Sequence, residues 1–295
     1  MQRVGRQRNN HAEALRGRRV LITGAARGIG ATLAHRLHER GAIVAVAGLE
    51  PELLAVVADS VEGPHWYLDV TNREQVDEVV DDAARRLGGL DVVVANAGIA
   101  AQLPIVDGDP TIFEQTVAVN LLGSYYTLRA AGRHVSHPNG YAVAVSSLAA
   151  AVHVPLLSAY NASKAGVEAL GNTLRQEMRP SGARVGVAYF AELDTDMTSR
   201  GFGTQAAKSF LGERSLTRVT PLVKGIDALE RGIARRSRII YAPWFVAPIL
   251  PTRRIAQGVV ELVAKGRVGD VLEIAREEHV DLTTPQPESE PRTGS

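Results

Sequence analysis

Tyr160 and Lys164 stand four residues apart, and Ser147 precedes the tyrosine by thirteen. Side chains at four-residue spacing share one face of a helix, so an ammonium is held near a phenol and near whatever the phenol touches. A free tyrosine loses its proton near a pH of about 10, and each unit of lowering takes about 1.4 kcal/mol of preferential phenolate stabilisation. The Lys164 ammonium, joined by a second cation, is expected to supply that lowering and make Tyr160 a general acid/base. The Ser147 hydroxyl both donates and accepts, which suits it to hold a substrate oxygen beside the phenol. A Tyr–Lys pair alone also occurs on solvated helices, so the surrounding elements decide its meaning.

The run RRVLIT (Arg18 to Thr23) reads as a short buried strand, and Gly24, Gly28 and Gly30 follow it at once. Glycines in such a turn let backbone amides approach a pyrophosphate, and a helix starting near Ile29 directs its positive end at the same group. A dinucleotide is the expected ligand. Further apolar strands at 42–47, 65–68, 90–95, 140–146 and 184–189 alternate with helical stretches. That alternation predicts an α/β fold, a Rossmann-type doubly wound parallel sheet, with ligands at the carboxyl ends of the strands. Asp69 with Val70, Asn96 with Ala97 and Gly98, Ser147, and the segment after Tyr189 all fall at those ends.

From about Arg18 to about Met197 the chain resembles the short-chain dehydrogenase/reductase (SDR) family. The family's TGxxxGxG pattern matches Thr23, Gly24, Gly28 and Gly30, its NAG pattern matches Asn96, Ala97 and Gly98, and its catalytic Asn, Ser, Tyr and Lys match Asn120, Ser147, Tyr160 and Lys164. The resemblance implies an NAD(P)-dependent oxidoreductase acting on a CH–OH group or its ketone. Tyr160 would exchange a proton with the substrate oxygen while hydride moves to or from nicotinamide, and Lys164 would hold the nicotinamide ribose. Asn120 would order a water that relays the proton. Asp69 and Val70 would contact adenine, and Leu193 and Thr195 the carboxamide. Ser146 points to the other side of its strand and receives no catalytic role.

Two departures from the family pattern stand out. The carboxylate that selects NAD would fall near Gly48, where the chain reads AGLEPE. Arg27 could pair with a 2′-phosphate, and Glu50 could swing toward the ribose instead, which leaves NAD or NADP open. In AYFAELDTDM, Phe190 and Ala191 replace a Pro-Gly pair, and Phe190 is expected to narrow the wall beside the nicotinamide.

The 295 residues, 45% hydrophobic, suit one α/β domain. The expected division is a flexible basic arm over 1–17, an NAD(P)-binding domain over 18–282 with a lid and C-terminal extension at about 200–265, and a disordered tail over 283–295. A net charge of +1 offers no footprint for nucleic acid, and the absence of cysteine excludes disulfides and thiol catalysis. The eight histidines lack metal-ligand spacing, so no metal is expected. With no apolar run long enough to span a bilayer and no signal sequence, a cytoplasmic protein is expected. The apolar stretch from Trp244 to Lys265 is interrupted by three prolines and is read as packing over the lid or a partner subunit, with peripheral membrane contact as the alternative. His153, Phe190, Met197 and Phe202 are candidate pocket residues. With Val154, Leu156, Leu157 and Trp244 they suggest a bulky hydrophobic alcohol or ketone, lipid-like or steroid-like. The resemblance implies a homodimer or homotetramer paired through the helices carrying Asn120 and Tyr160. The alternatives are a ketoacyl-thioester reductase, for which Arg200, Arg214 and Arg218 are undecided evidence, and a silent NAD(P)-sensing protein.

Overall fold

The computed structural model describes residues 11–197, 219–278, 282–284 and 286. Seven strands form one parallel sheet: β1 (Arg19–Thr23), β2 (Ile43–Gly48), β3 (His65–Tyr67), β4 (Val92–Ala95), β5 (Tyr141–Val145), β6 (Arg184–Phe190) and β7 (Ile239–Ala242), in the order β3-β2-β1-β4-β5-β6-β7. Val20 of β1 is in register with Val44 of β2 on one side and Val92 of β4 on the other. The winding reverses between β1 and β4, so a crevice opens past their carboxyl ends.

The central strands are apolar on both faces because helices cover both, while the edge strands β3 and β7 leave residues exposed. Val20 and Ile22 face one core with Leu33 and Leu37 of α1 (Gly28–Glu39), Leu54 of α2 (Pro51–Ser60) and Ile226 and Leu229 of α7 (Leu222–Arg235). Leu21, one step out of phase, faces the other core with Val76 and Val80 of α3 (Arg73–Leu87), Leu128 of α5 (Gly123–Val135) and Val167 of α6 (Ser158–Glu177). Helix α4 (Pro110–Val117) leads into α5 through a π-helical turn at Ala118–Leu122.

Both ends of the domain depart from expectation. Residues 11–15 are helical rather than part of a loose arm: Leu15 is 1% exposed within the first core, and the Gly17 amide donates to the Gly41 carbonyl at 2.7 Å. Beyond β7 the chain forms α8 (Val246–Ile249), α9 (Arg253–Ala264) and α10 (Val268–Glu277), with the expected break at the prolines. Arg253 bonds Glu168 of α6 at 2.8 Å, fixing α9 beside the helix that carries Tyr160 and Lys164. The tail expected to be disordered from Thr283 is placed at its start: the Thr283 hydroxyl accepts from the Ala100 amide at 3.1 Å, and its own amide donates to the Ala100 carbonyl. No helix among the described residues is long and apolar enough to cross a membrane.

Candidate active site

The turn between β1 and α1 is a cradle that side chains would fill. A Cβ on Gly24, whose φ is +64°, would lie 2.6 Å from the Ala97 Cα, and one on Gly30 would lie 2.3 Å from the Gly24 carbonyl oxygen. Helix α1 begins at Gly28 and Ile29 with no side-chain cap and no acidic residue in its first turn, so its free amides remain available to an anion. Asn96 braces the turn from β4, its Nδ2 donating to the carbonyls of Thr23 and Gly24, both at 3.0 Å. Thr23 is itself buried and accepts the Asn96 amide, so it ties β1 to β4 instead of facing the crevice. This arrangement fits a dinucleotide pyrophosphate.

A cavity of about 580 Å³ continues from this cradle past Gly48, Val70, Ala97 and Gly98 to Ser147, Tyr160 and Lys164. Ser147 follows β5; its hydroxyl donates to the Phe190 carbonyl at 3.2 Å, accepts from the Ala149 amide at 3.1 Å and is hydrogen-bonded with Tyr160. Lys164, one turn along α6, donates to the Val145 carbonyl at 3.0 Å and lies 5.6 Å from the centre of the Tyr160 ring. Ser146, as expected, turns away and donates to the Lys164 carbonyl. Asn120 sits in the π-helical turn, a device that re-aims one side chain without breaking a helix. Its Oδ1 accepts the Ile99 amide at 2.8 Å, and its Nδ2 donates to the Ile99 carbonyl at 2.9 Å and to Ser163 Oγ at 3.1 Å. Both amide hydrogens are committed, which makes Asn120 a fully buried brace between β4's exit and α6, off the cavity lining.

The electrostatics of the chain alone oppose ionisation of Tyr160. Burial raises its pKa, with the bond to Ser147 opposing, because the phenolate would lose its water. Burial also lowers Lys164 to about 8, so it stays mainly an ammonium at neutrality but loses its proton at far lower pH than a free lysine. The chain alone therefore keeps the phenol protonated.

These features agree with a family model described as short chain dehydrogenase, which matches residues 18–208. The chain belongs to the short-chain dehydrogenase family. Its members include oxidoreductases such as an L-2,3-butanediol dehydrogenase of Corynebacterium glutamicum, 31% identical over 61% of this chain and 76% of that protein. An 11-beta-hydroxysteroid dehydrogenase-like 2 protein of Arabidopsis thaliana is 28% identical over 85% of this chain and 82% of its own length. A solved putative short-chain alcohol dehydrogenase from Sinorhizobium meliloti 1021 superimposes with a TM-score of 0.70 at 30% identity, covering 79% of this chain and 97% of its own.

Within this short-chain dehydrogenase, the other sequence candidates separate. Leu193, Thr195 and the half-buried Met197 line the cavity. Phe190 lines it too but is 4% exposed and packed in the first core with Leu193 and Ile226, so it closes the wall from below. His153 is exposed and off the cavity: its backbone pairs with the Gln257 side chain, and Val152 and Val154 line the cavity on either side of it. Trp244, 78% exposed, is likewise off the cavity. Asp69 spends Oδ1 on the amide and hydroxyl of Thr71, leaving Leu68 and Val70 at the cavity. Arg27 reaches the cavity with its guanidinium taken: Nε donates to Glu50 at 2.7 Å and Nη1 to Asp196 at 3.4 Å. Phe202, Arg200, Arg214 and Arg218 lie outside the described residues. Unforeseen from sequence are Gln102 and the C-terminal contributors Val260, Val271 and Thr283. Among the described residues no group of side chains could hold a metal ion.

Proposed function

We propose that this oxidoreductase interconverts a bulky, hydrophobic secondary alcohol and its ketone with NAD(H). One observation carries the reading: the bonded Ser147–Tyr160 pair, backed by Lys164, opens onto a cavity that joins the glycine cradle to apolar walls from Val154, Leu157, Met197, Ile249, Val260 and Val271. When bound, the dinucleotide supplies or takes up the hydride. The cradle at Gly24, Gly28 and Gly30 and the start of α1 hold its pyrophosphate, with Leu193 and Thr195 at the far side. Lys164 keeps two ammonium hydrogens without a protein acceptor among the described residues, which suits the nicotinamide ribose.

Ser147 orients the carbonyl oxygen of the ketone, and Tyr160, held protonated, donates its proton to that oxygen as it becomes negative. In the reverse direction Tyr160 takes the proton back, which requires added positive charge near it to offset burial. The apolar walls exclude water from that exchange.

Cofactor choice follows from charge. Arg27 already carries two carboxylates, Glu50 and Asp196, so the ribose end of the site is net negative and resists a 2′-phosphate. Glu50, two residues beyond the place where Gly48 stands, supplies the acceptor for a ribose hydroxyl. Helices α4 and α5 leave Phe113 and Tyr125 exposed, with Leu122 between them in the π-helical turn, which supports pairing into a dimer or tetramer.

Absorbance at 340 nm with NAD⁺ or NADP⁺ and secondary alcohols ranging from small polyols to sterols tests the reading. NAD-linked turnover of large apolar alcohols, lost in Tyr160→Phe, is expected. Turnover confined to small polyols, or a thioester substrate preferred over free ketones, overturns it.

A further inference from the structure

A second concave surface lies at the opposite end of the sheet. The groove, about 610 Å³, is bounded by the end of α6, the start of β6 and the link between α7 and β7, and six arginines line it: Arg175, Arg179, Arg184, Arg235, Arg236 and Arg238. No aspartate or glutamate does. Arg184 opens β6 and Phe190 closes it, so six residue steps of about 3.3 Å place the groove roughly 20 Å from the Ser147 contact.

Many of the described arginines find a carboxylate. Arg19 meets Asp91, Arg36 meets Asp227, Arg40 meets Glu230 and Arg253 meets Glu168. None of the six groove arginines does so among the described residues. Arg175 is fixed by neutral acceptors alone, donating to the Val185 carbonyl at 2.9 Å, to Asn172 Oδ1 at 2.6 Å and to the Arg238 carbonyl at 3.3 Å. Arg236 leans on the Pro138 carbonyl. Burial and the neighbouring Arg238 push Arg175 below the usual guanidinium range, and burial with Arg184 and Arg18 does the same to Arg236. The C-terminal ends of α6 and α7 attract cations, which accounts for Arg175 and Arg235. It does not account for Arg184, which opens β6, or for Arg238, which precedes β7.

We propose that this groove binds a small polyanion carrying two or more phosphoryl groups, at a site separate from the hydride-transfer cavity. Guanidinium forks match phosphate oxygens in pairs, and Arg175 is already held in place to offer one. A single monoanion would leave most of the positive charge unmatched, whereas a compact polyphosphate matches several forks at once. The concavity and its volume favour a small molecule over an extended nucleic-acid strand, which would need a basic track across the surface.

The test is calorimetric titration of inorganic tripolyphosphate into the wild type and into an Arg179→Gln/Arg184→Gln/Arg238→Gln variant, whose side chains carry no structural bonds and whose glycine cradle is intact. Saturable wild-type binding that weakens about tenfold or more in the variant, and that fades with salt, is expected. Equal binding by both proteins places the anion elsewhere and overturns the proposal, as does absence of binding at low salt. Tighter capture of a single-stranded oligonucleotide than of tripolyphosphate, lost in the same variant, overturns it in favour of nucleic acid. Should the triple variant unfold, Arg184→Glu alone carries the comparison.

Discussion

The two ends of the parallel sheet handle charge in opposite ways. At the carboxyl ends, each charged or amide side chain of the site is tied to at least one protein partner: Lys164 to Val145, Arg27 to Glu50, Asn96 to the glycine turn and Asn120 to Ile99. At the amino ends of β6 and β7, six guanidinium groups share one groove with no carboxylate among them. The first arrangement follows from topology, because strand reversal and helix N-termini create an anion-binding crevice wherever this fold occurs. The second follows from nothing in the fold. Helix C-termini tolerate arginines there, but the choice of six is a property of this chain.

Substitutions at the two ends should separate cleanly. Tyr160→Phe removes the proton donor and is expected to lower kcat by about 10³-fold, a barrier increase of about 4 kcal/mol, with dinucleotide affinity unchanged by fluorescence titration. Next in size is the cost of burying Lys164. Its pKa is lowered to about 8 from 10.5, so between those values the unfolded chain binds more protons and stability rises with pH. Urea unfolding of the wild type relative to Lys164→Met should show a gap that closes as pH rises above 8, by up to about 3 kcal/mol over the full window. A gap independent of pH would mean that the ammonium is better solvated than its 3% exposure implies.

Gly24→Ala forces a methyl against Ala97 at a positive φ and should cost about 1–3 kcal/mol in denaturant melts while weakening dinucleotide binding. Glu50→Gln frees Arg27 of one carboxylate and should move the NADP/NAD ratio of kcat/KM toward NADP by about tenfold, or about 1.4 kcal/mol. The smallest effect belongs to the far groove. Arg184→Gln should leave kcat unchanged and raise stability by less than about 0.5 kcal/mol, since it relieves repulsion on Arg236. A change in kcat there would break the separation of the two ends.

Much of the sheet and of the candidate site was legible in the sequence because both are written in local signals. Short apolar runs mark the strands, and TGAARGIG, NAG and the Ser147, Tyr160, Lys164 spacing each sit at a strand's end. What was not legible depends on distant parts of the chain. Burial raises Tyr160 in the chain alone, a pull the sequence does not display, because desolvation is set by everything packed around the ring. His153 faces out because Gln257, on a helix formed far downstream, pairs with its backbone. The π-helical turn at Asn120 has no sequence signature, since one extra residue per turn is a matter of packing. The arginine groove is invisible for the same reason: its members come from α6, β6 and the α7–β7 link, and only the fold brings them together.

Thr283 closes the cavity with a two-way bond to Ala100, in company with Val271 and Val260. Asn120, Ser147, Tyr160 and Lys164 all come long before that point, so the last stretch of the chain adds only to the walls around them, which Val154 and Leu157 begin. Descendants of such a chain can exchange or lengthen the last stretch and inherit the chemistry intact. In a lineage built this way, new substrates arise by rewriting an ending.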